Sequence, residues 1–325
     1  MATAFSVQSA RALSSGTAFC GLFILRKCAT KTARNGAPFL MVELGDKTGT
    51  LGTTVFSDSP VFASLTALKE GAIVRVEAVS ENFQGRFSPR LGGVEEVPES
   101  GLDAADLDGL VETAPEDLVA LWTELNGHVA AVEHAGLRTV VASVFEEIGG
   151  VFRVCAAAVA MHHAYRGGLL EHTVHMARVA RAVLPLYPQV DASLALSGVL
   201  LHDVGKTLEY CNGLVTRRTR LGILQGHVVL GYQLVRKHGL KNKLAVAWLE
   251  RLEHIILSHQ GEMEWGAAAM AASPEAVFVS MVDNLDAKMG MVQRALRGAA
   301  PGEEFSDYMP GLKASLLLTP LPSQE

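Results

Sequence analysis

The sequence predicts an α+β protein of two parts, an N-terminal β-barrel followed by an all-α helical bundle. Three observations carry this. Residues 18 to 97 hold five short segments of strand character, punctuated by Gly, Asn and Asp. Beyond residue 118, apolar residues recur at three- and four-residue spacing in one long segment after another. Between the two, residues 95 to 124 carry ten Asp and Glu and no Lys or Arg. The organisation expected is therefore a barrel over 1–98, an acidic linker over 99–117, a helical domain over 118–313 and a tail over 314–325.

At 325 residues and 49% hydrophobic content, the chain can bury two cores. No segment approaches the roughly 20 apolar residues that a membrane span requires. The start, MATAFSVQSARALSSG, is poor in acidic residues but has no long apolar run or cleavage site, so it does not read as a targeting peptide. Cys20, Cys28, Cys155 and Cys211 show no CxxC spacing and read as reduced thiols. A soluble, cytoplasmic protein without a membrane partner is expected. The formal net charge is −6, but Lys206 to Arg251 holds nine Lys and Arg against Glu209 and Glu250. Such a basic stretch can hold a polyanion.

The strand segments are FCGLFILRKCATKT, PFLMVELGD, TLGTTVFSD, IVRVEAVSEN and RFSPRLGGVEEV, with a helix-like VFASLTALKEG between the third and fourth. ARNGAPF and GDKTGTLG are turns of the kind that join antiparallel neighbours. The pattern resembles an OB-fold, which implies binding of single-stranded nucleic acid through aromatic platforms and cations. Phe56, Phe83 and Phe87 are the candidate platforms, with Phe39 beside them, and Lys31, Arg34 and Arg86 are candidate phosphate contacts. NFQGRF reads as a hairpin that carries Phe83 and Phe87 outside the barrel.

The helical segments run from LVALWTELNGHVAAVEHAG to PEAVFVSMVDNLDAKMGMVQRAL, and all eleven histidines fall between His128 and His259. The apolar run ASLALSGVLL ends on His202 and Asp203, His172 lies early in a helix opened by Gly167 and Gly168, and Asp283 interrupts VFVSMVDNL. A carboxylate in an apolar setting needs a counter-charge. Two imidazoles and two carboxylates suit Mn, Fe, Co, Ni or Zn, with Mn the first expectation.

The pattern H...HD...D resembles the HD-domain phosphohydrolases. HHAYRGGLLEHT, LLHDVGK, LQGHVVLG, ILSHQGEMEWG and VDNLDAKM further resemble, in order and spacing, the YhaM-type 3′-5′ exoribonucleases, which join an OB-fold to an HD domain. The resemblance makes His172, His202, Asp203 and Asp283 the primary metal ligands. His227, His254 and His259 resemble the histidines that hold a second metal or the scissile phosphate in some HD proteins, so one or two divalent ions are expected. His254 and His259 are five apart, and on a regular helix they point in different directions. Asp203 is the candidate general base and Lys206 a point charge for phosphate, with His227 the third catalytic candidate. His163 is a further candidate for holding nucleic acid.

The activity implied is metal-dependent hydrolysis of single-stranded RNA, with ssDNA also open, from the 3′ end to nucleoside 5′-monophosphates. Homo-oligomerisation is left open. Two alternatives stand beside it: a nucleotide or cyclic-nucleotide phosphohydrolase, and a single-strand-binding protein without catalysis. The family often has Trp where this chain has Phe56, and Pro where it has Cys155, which weakens the stacking expectation in the first case and touches only packing in the second.

Overall fold

The structure, a computed structural model, describes residues 5–33, 36–83, 86–158, 165–211, 216–299 and 302–321. It divides into two compact units, the first running to Thr113 and the second from Ala114.

The first unit comprises α1 (Val7–Arg11), β1 (Ala18–Thr32), β2 (Pro38–Asp46), β3 (Gly49–Phe56), α2 (Phe62–Ala67), β4 (Ile73–Val79), the short β5 (Asn82–Phe83) and β6 (Arg86–Phe87), β7 (Arg90–Glu96) and α3 (Ala104–Leu110). The main sheet is antiparallel in the order β3-β2-β1-β4-β7. β1 serves both halves: Ala18 to Ile24 pair with β4, and Ile24 to Thr32 pair with β2, with a register shift between Leu25 and Lys27. Such a shift bends a strand and adds twist. The outermost strands approach each other where Thr53 Oγ1 donates to Pro89 O at 2.6 Å. The result is a partly open five-stranded barrel, with α2 between the third and fourth strands as the sequence predicts. Strict alternation on β3 sends Leu51 and Val55 inward with Phe23, Leu25, Leu40 and Leu65, and leaves Gly52, Thr54 and Phe56 outside.

The GDKTG turn is explained by Asp46, which is 5% exposed. Its Oδ1 accepts from the Thr48 amide at 2.7 Å and the Thr48 hydroxyl at 2.6 Å, and its Oδ2 accepts from the Val7 amide at 2.7 Å. One carboxylate thus closes the β2–β3 hairpin and anchors α1, whose Val7 and Ala10 are buried on the barrel. Asp46→Ala strands these donors and is expected to cost about 2 kcal/mol, readable as a lower denaturant midpoint of the first unit.

The linker expected over 99–117 is largely built into this unit. Leu110 is 1% exposed and packs with Ile24 and Ile73, and Leu102 and Val111 lie against them. The acidic residues dominate the composition, but the apolar residues between them supply the face that folds.

The second unit is helical: α4 (Leu118–Ala130), α5 (Ala135–Phe152), α6 (Gly168–Val183), α7 (Ala192–Leu201), α8 (Lys206–Glu209), a two-residue hairpin β8 (Tyr210–Cys211) and β9 (Arg217–Arg218), α9 (Arg220–Lys241), α10 (Val246–Ser258) and α11 (Pro274–Gly298). α7 is the central helix, buried all round from Leu194 to Leu201, as its unbroken apolar sequence demands. Gly198 lets α10 and α11 close on it, since a Cβ there would lie 2.7 Å from Ile255 and 3.3 Å from Val279. Among the described residues, Phe305 bridges to Leu317 and Met309 to Ala314, so the start of the expected tail pairs with the segment before it. Among the described residues no helix is long and apolar enough to cross a membrane.

Candidate functional site

The C-terminal ends of two helices meet at the histidine cluster. His202 caps α7 and His259 caps α10. At a helix end the last carbonyls lack partners within the helix, and each imidazole uses one: His202 Nδ1 donates to Val199 O at 2.8 Å, and His259 Nδ1 donates to Ile256 O at 2.7 Å. A carbonyl only accepts, so these bonds put the proton on Nδ1 and leave an Nε2 lone pair facing inward. Two further imidazoles are fixed the same way by carboxylates. His172 Nδ1 donates to Asp286 Oδ2 at 2.7 Å, and His227 Nδ1 donates to Glu209 Oε2 at 2.8 Å.

The inward atoms form two groups joined by Asp203. In the first, His172 Nε2 lies 3.2 Å from His202 Nε2 and 3.3 Å from Asp283 Oδ1, while Asp203 Oδ2 lies 3.2 Å from His202 Nε2. In the second, Asp203 Oδ1 lies 3.5 Å from both His227 Nε2 and His259 Nε2. His172 and His202 are fully buried and Asp203 is 2% exposed.

Neutral protein atoms alone do not satisfy this arrangement. Lone pairs on neighbouring imidazoles repel, and Asp203 Oδ1 is buried without a hydrogen-bond donor among the described residues. A cation resolves both, and the negative ends of the α7 and α10 dipoles favour it. The site's demand for positive charge shows on His172: burial opposes the charged form, yet hydrogen bonds to Asp283 and Asp286 raise its pKa to about 10, so Nε2 carries a proton that a metal ion would displace to gain the lone pair. Asp283, where burial works the other way, is held at about 2 by the same hydrogen bond. The nitrogen and carboxylate donor set suits a divalent transition ion.

Lys206 Nζ lies 2.5 Å from Asp203 Oδ2 and is 6% exposed, so its charge is committed to Asp203. Burial would raise the Asp203 carboxyl, but Lys206 and His202 outweigh it and hold it well below the usual carboxylate range. The site's open side is marked by Asp283 and His227, whose side chains are 14% and 17% exposed while the other members are nearly closed off.

His254 is not brought to the cluster. Its Nε2 accepts from the Ala272 amide at 2.9 Å, which ties α10 to the segment before α11. The five-residue offset from His259 turns it away, as helical geometry requires. Two contributors carried no assigned role in the sequence: Glu209 and Gln260. Asp286 had a readable signal, because it follows Asp283 by one helical turn on α11. Glu209 and Gln260 reach the site through turns that periodicity does not report. Asp286→Asn is expected to weaken divalent-metal affinity by about 10- to 100-fold, since it loosens the His172 ring; titration calorimetry with Mn(II) reads this.

On the first unit, the ladder places Lys31, Phe39 and Phe56 in one row across β1, β2 and β3. Phe56 is 59% exposed and its ring lies 6.3 Å from that of Phe39. Next to this row a groove of about 930 Å³ is lined by Arg11, Lys27, Met41, Thr54 and Phe87, among others. β5 and β6 pair antiparallel, Asn82 with Phe87 and Phe83 with Arg86, but Phe87 does not stand clear of the barrel. It is half-buried against the core, its ring 6.5 Å from that of Phe19. Arg34 and His163 lie outside the described residues, and the hairpin's Phe83 and Arg86 are described by their backbone alone.

A helical bundle with a central apolar helix that ends in His-Asp, and with histidines and an aspartate converging from α6, α9, α10 and α11, defines an HD-domain protein; the family model for the HD domain matches residues 169–288. Similarity extends well beyond that domain. The 3′-5′ exoribonuclease YhaM of Geobacillus sp. (strain WCH70) is 30% identical over 283 residues, covering 87% of this chain and 86% of the relative. The 3′-5′ exoribonuclease YhaM of Shouchella clausii (strain KSM-K16) is 29% identical over 297 residues, covering 91% and 92%. The chain belongs to the YhaM family.

Proposed function

We propose that this protein is a metal-dependent 3′-5′ exoribonuclease that degrades single-stranded RNA, with ssDNA a further candidate substrate, to nucleoside 5′-monophosphates. The observation that carries the reading is the convergence of four imidazole Nε2 atoms on a shared aspartate whose Oδ1 is buried without a hydrogen-bond donor among the described residues, in a chain of the YhaM family. His172, His202, Asp203 and Asp283 would hold the ion, with Mn(II) the first choice. When bound, such an ion activates water at neutral pH and offsets charge on a phosphoryl oxygen.

The chain's own residues do the rest. Lys206 fixes the Asp203 carboxylate and offsets its charge, so Asp203 serves as a ligand rather than a proton acceptor; a carboxyl of such low pKa is a weak base. His227, the most accessible imidazole of the cluster, is the group positioned to meet substrate, and Glu209 fixes its tautomer. The row of Lys31, Phe39 and Phe56 offers a phosphate contact and stacking faces to a single strand, and this favours a polymer over a free nucleotide as substrate. Phe56→Ala is expected to weaken single-stranded RNA binding by about 1–3 kcal/mol, measured by fluorescence anisotropy on metal-free protein.

The test of the reading is product identity. Chromatography of a digest of an unstructured RNA should show nucleoside 5′-monophosphates. Nucleoside 3′-monophosphates would contradict the cleavage proposed, and turnover of free or cyclic nucleotides without RNA cleavage would favour the small-substrate alternative.

A further inference from the structure

The two groups of ligand atoms around Asp203 are not equally open to a cation. In the group formed by His172, His202, Asp203 Oδ2 and Asp283, Lys206 sits on Asp203 Oδ2 and no side-chain amide is wedged among the ligand atoms of the described residues. In the group formed by Asp203 Oδ1, His227 and His259, a neutral donor is already in place. Gln260 Nε2 lies 3.2 Å from His227 Nε2 and 3.0 Å from His259 Nε2.

The assignment of the amide follows from its neighbours. Both imidazoles commit Nδ1–H elsewhere, to Glu209 and to Ile256 O, so both present lone pairs to Gln260. An amide nitrogen carries two hydrogens and satisfies both; an amide oxygen there would face two lone pairs. The backbone fixes the placement. Gln260 follows the α10 cap His259 and precedes Gly261, whose φ of +81° belongs to the left-handed region and whose Cβ position lies 2.7 Å from Ser280 Oγ. The Gly261 amide donates to Ser258 O at 3.0 Å, closing the turn. A residue with a side chain at 261 is disfavoured both by φ and by space, so the turn that delivers Gln260 is locked.

We propose that the Gln260 carboxamide stands in for a second cation, bridging His227 and His259, so that the centre binds one divalent ion tightly and a second only by displacing the amide. This rests on the reading of the His/Asp cluster as a divalent-metal centre. It makes Gln260 the residue that sets the number of ions held. A carboxylate of the same size at this position replaces two N–H donors with acceptors, and three lone-pair groups with Asp203 Oδ1 then call for a cation.

The test is metal stoichiometry, independent of turnover. The full chain is stripped with chelator and reloaded with Mn(II), and bound manganese is read by elemental analysis, titration calorimetry and electron paramagnetic resonance. Wild type is expected to hold one tight ion with an uncoupled Mn(II) spectrum. The isosteric Gln260→Glu variant is expected to hold two, with a spin-coupled signal and a second-site affinity raised by about tenfold or more. Gln260→Ala, which removes the donor without adding a ligand, should gain second-site affinity to a smaller degree. Two tight ions in the wild type, or a single ion in both variants, overturns the proposal and leaves the metal-centre reading standing. No bound ion in the wild type overturns both.

Discussion

Asp203→Ala is expected to abolish divalent-metal binding and RNA hydrolysis together, and to destabilise the helical unit. Asp203 is shared by both groups of ligand atoms, so no second residue replaces it. The stability effect has a separate origin. Lys206 is buried with its ammonium on Asp203, and removing the partner leaves an uncompensated buried charge, a loss of about 3–5 kcal/mol. A second variant separates the two effects. Asp203→Ala combined with Lys206→Met removes the stranded charge while filling its volume, so it should recover most of the lost stability and none of the metal binding or activity. Urea denaturation of both variants checks this. Recovery of activity in the double variant would show that Asp203 is not a ligand.

Gly205→Ala is expected to be nearly as damaging, through backbone alone. A Cβ at 205 would lie 2.0 Å from His227 O and 2.5 Å from Gly231 N, both main-chain atoms that cannot swing aside. The turn after Asp203 therefore packs directly on α9, and this contact is what brings His227 to within 3.5 Å of Asp203 Oδ1. Overpacking against backbone is expected to cost about 3 kcal/mol, or roughly 6–12 °C in the melting temperature of a unit this size. The folded fraction should also bind RNA normally and hydrolyse it poorly, because the first unit is untouched while His227 is displaced. Calorimetry and single-turnover cleavage read the two consequences. A melting temperature within about 2 °C of wild type would mean that α9 is not held by this approach.

Gly205 illustrates what the sequence does and does not disclose. LLHDVGK was legible as a helix end bearing paired ligands because ASLALSGVLL can only be buried, and a buried carboxylate needs a counter-charge. Asp283 was legible for the same reason, an acid within an apolar helical run. The barrel was legible from strand alternation and from the turns between strands, and the bundle from its three- and four-residue spacing. Short-range pattern does not report distance between segments far apart in sequence. The close approach of residues 205 and 227, the Glu209 bond to His227 and the Gln260 bridge between two imidazoles are all products of tertiary contact.

Composition also misled where charge concealed structure. The acidic run read as a linker, yet Leu102, Leu110 and Val111 fold against Ile24 and Ile73, because a few apolar residues on one face suffice to dock a short helix whatever its other faces carry. His254 shows the converse. It resembled a ligand by type and neighbourhood, but its place on α10 turns it to the Ala272 amide; the helical period sets it apart from His259 without saying which of the two faces the cluster.

The most direct measurement is the time course of a 5′-labelled single-stranded RNA with Mn(II)-loaded wild-type protein, with the chelator-stripped protein and with Asp203→Ala. A ladder that shortens from the 3′ end with loaded wild type, is absent after stripping, returns on adding Mn(II) and never appears with Asp203→Ala is the predicted result. RNA that binds yet stays intact under every condition, or a ladder that persists undiminished in Asp203→Ala, would contradict it.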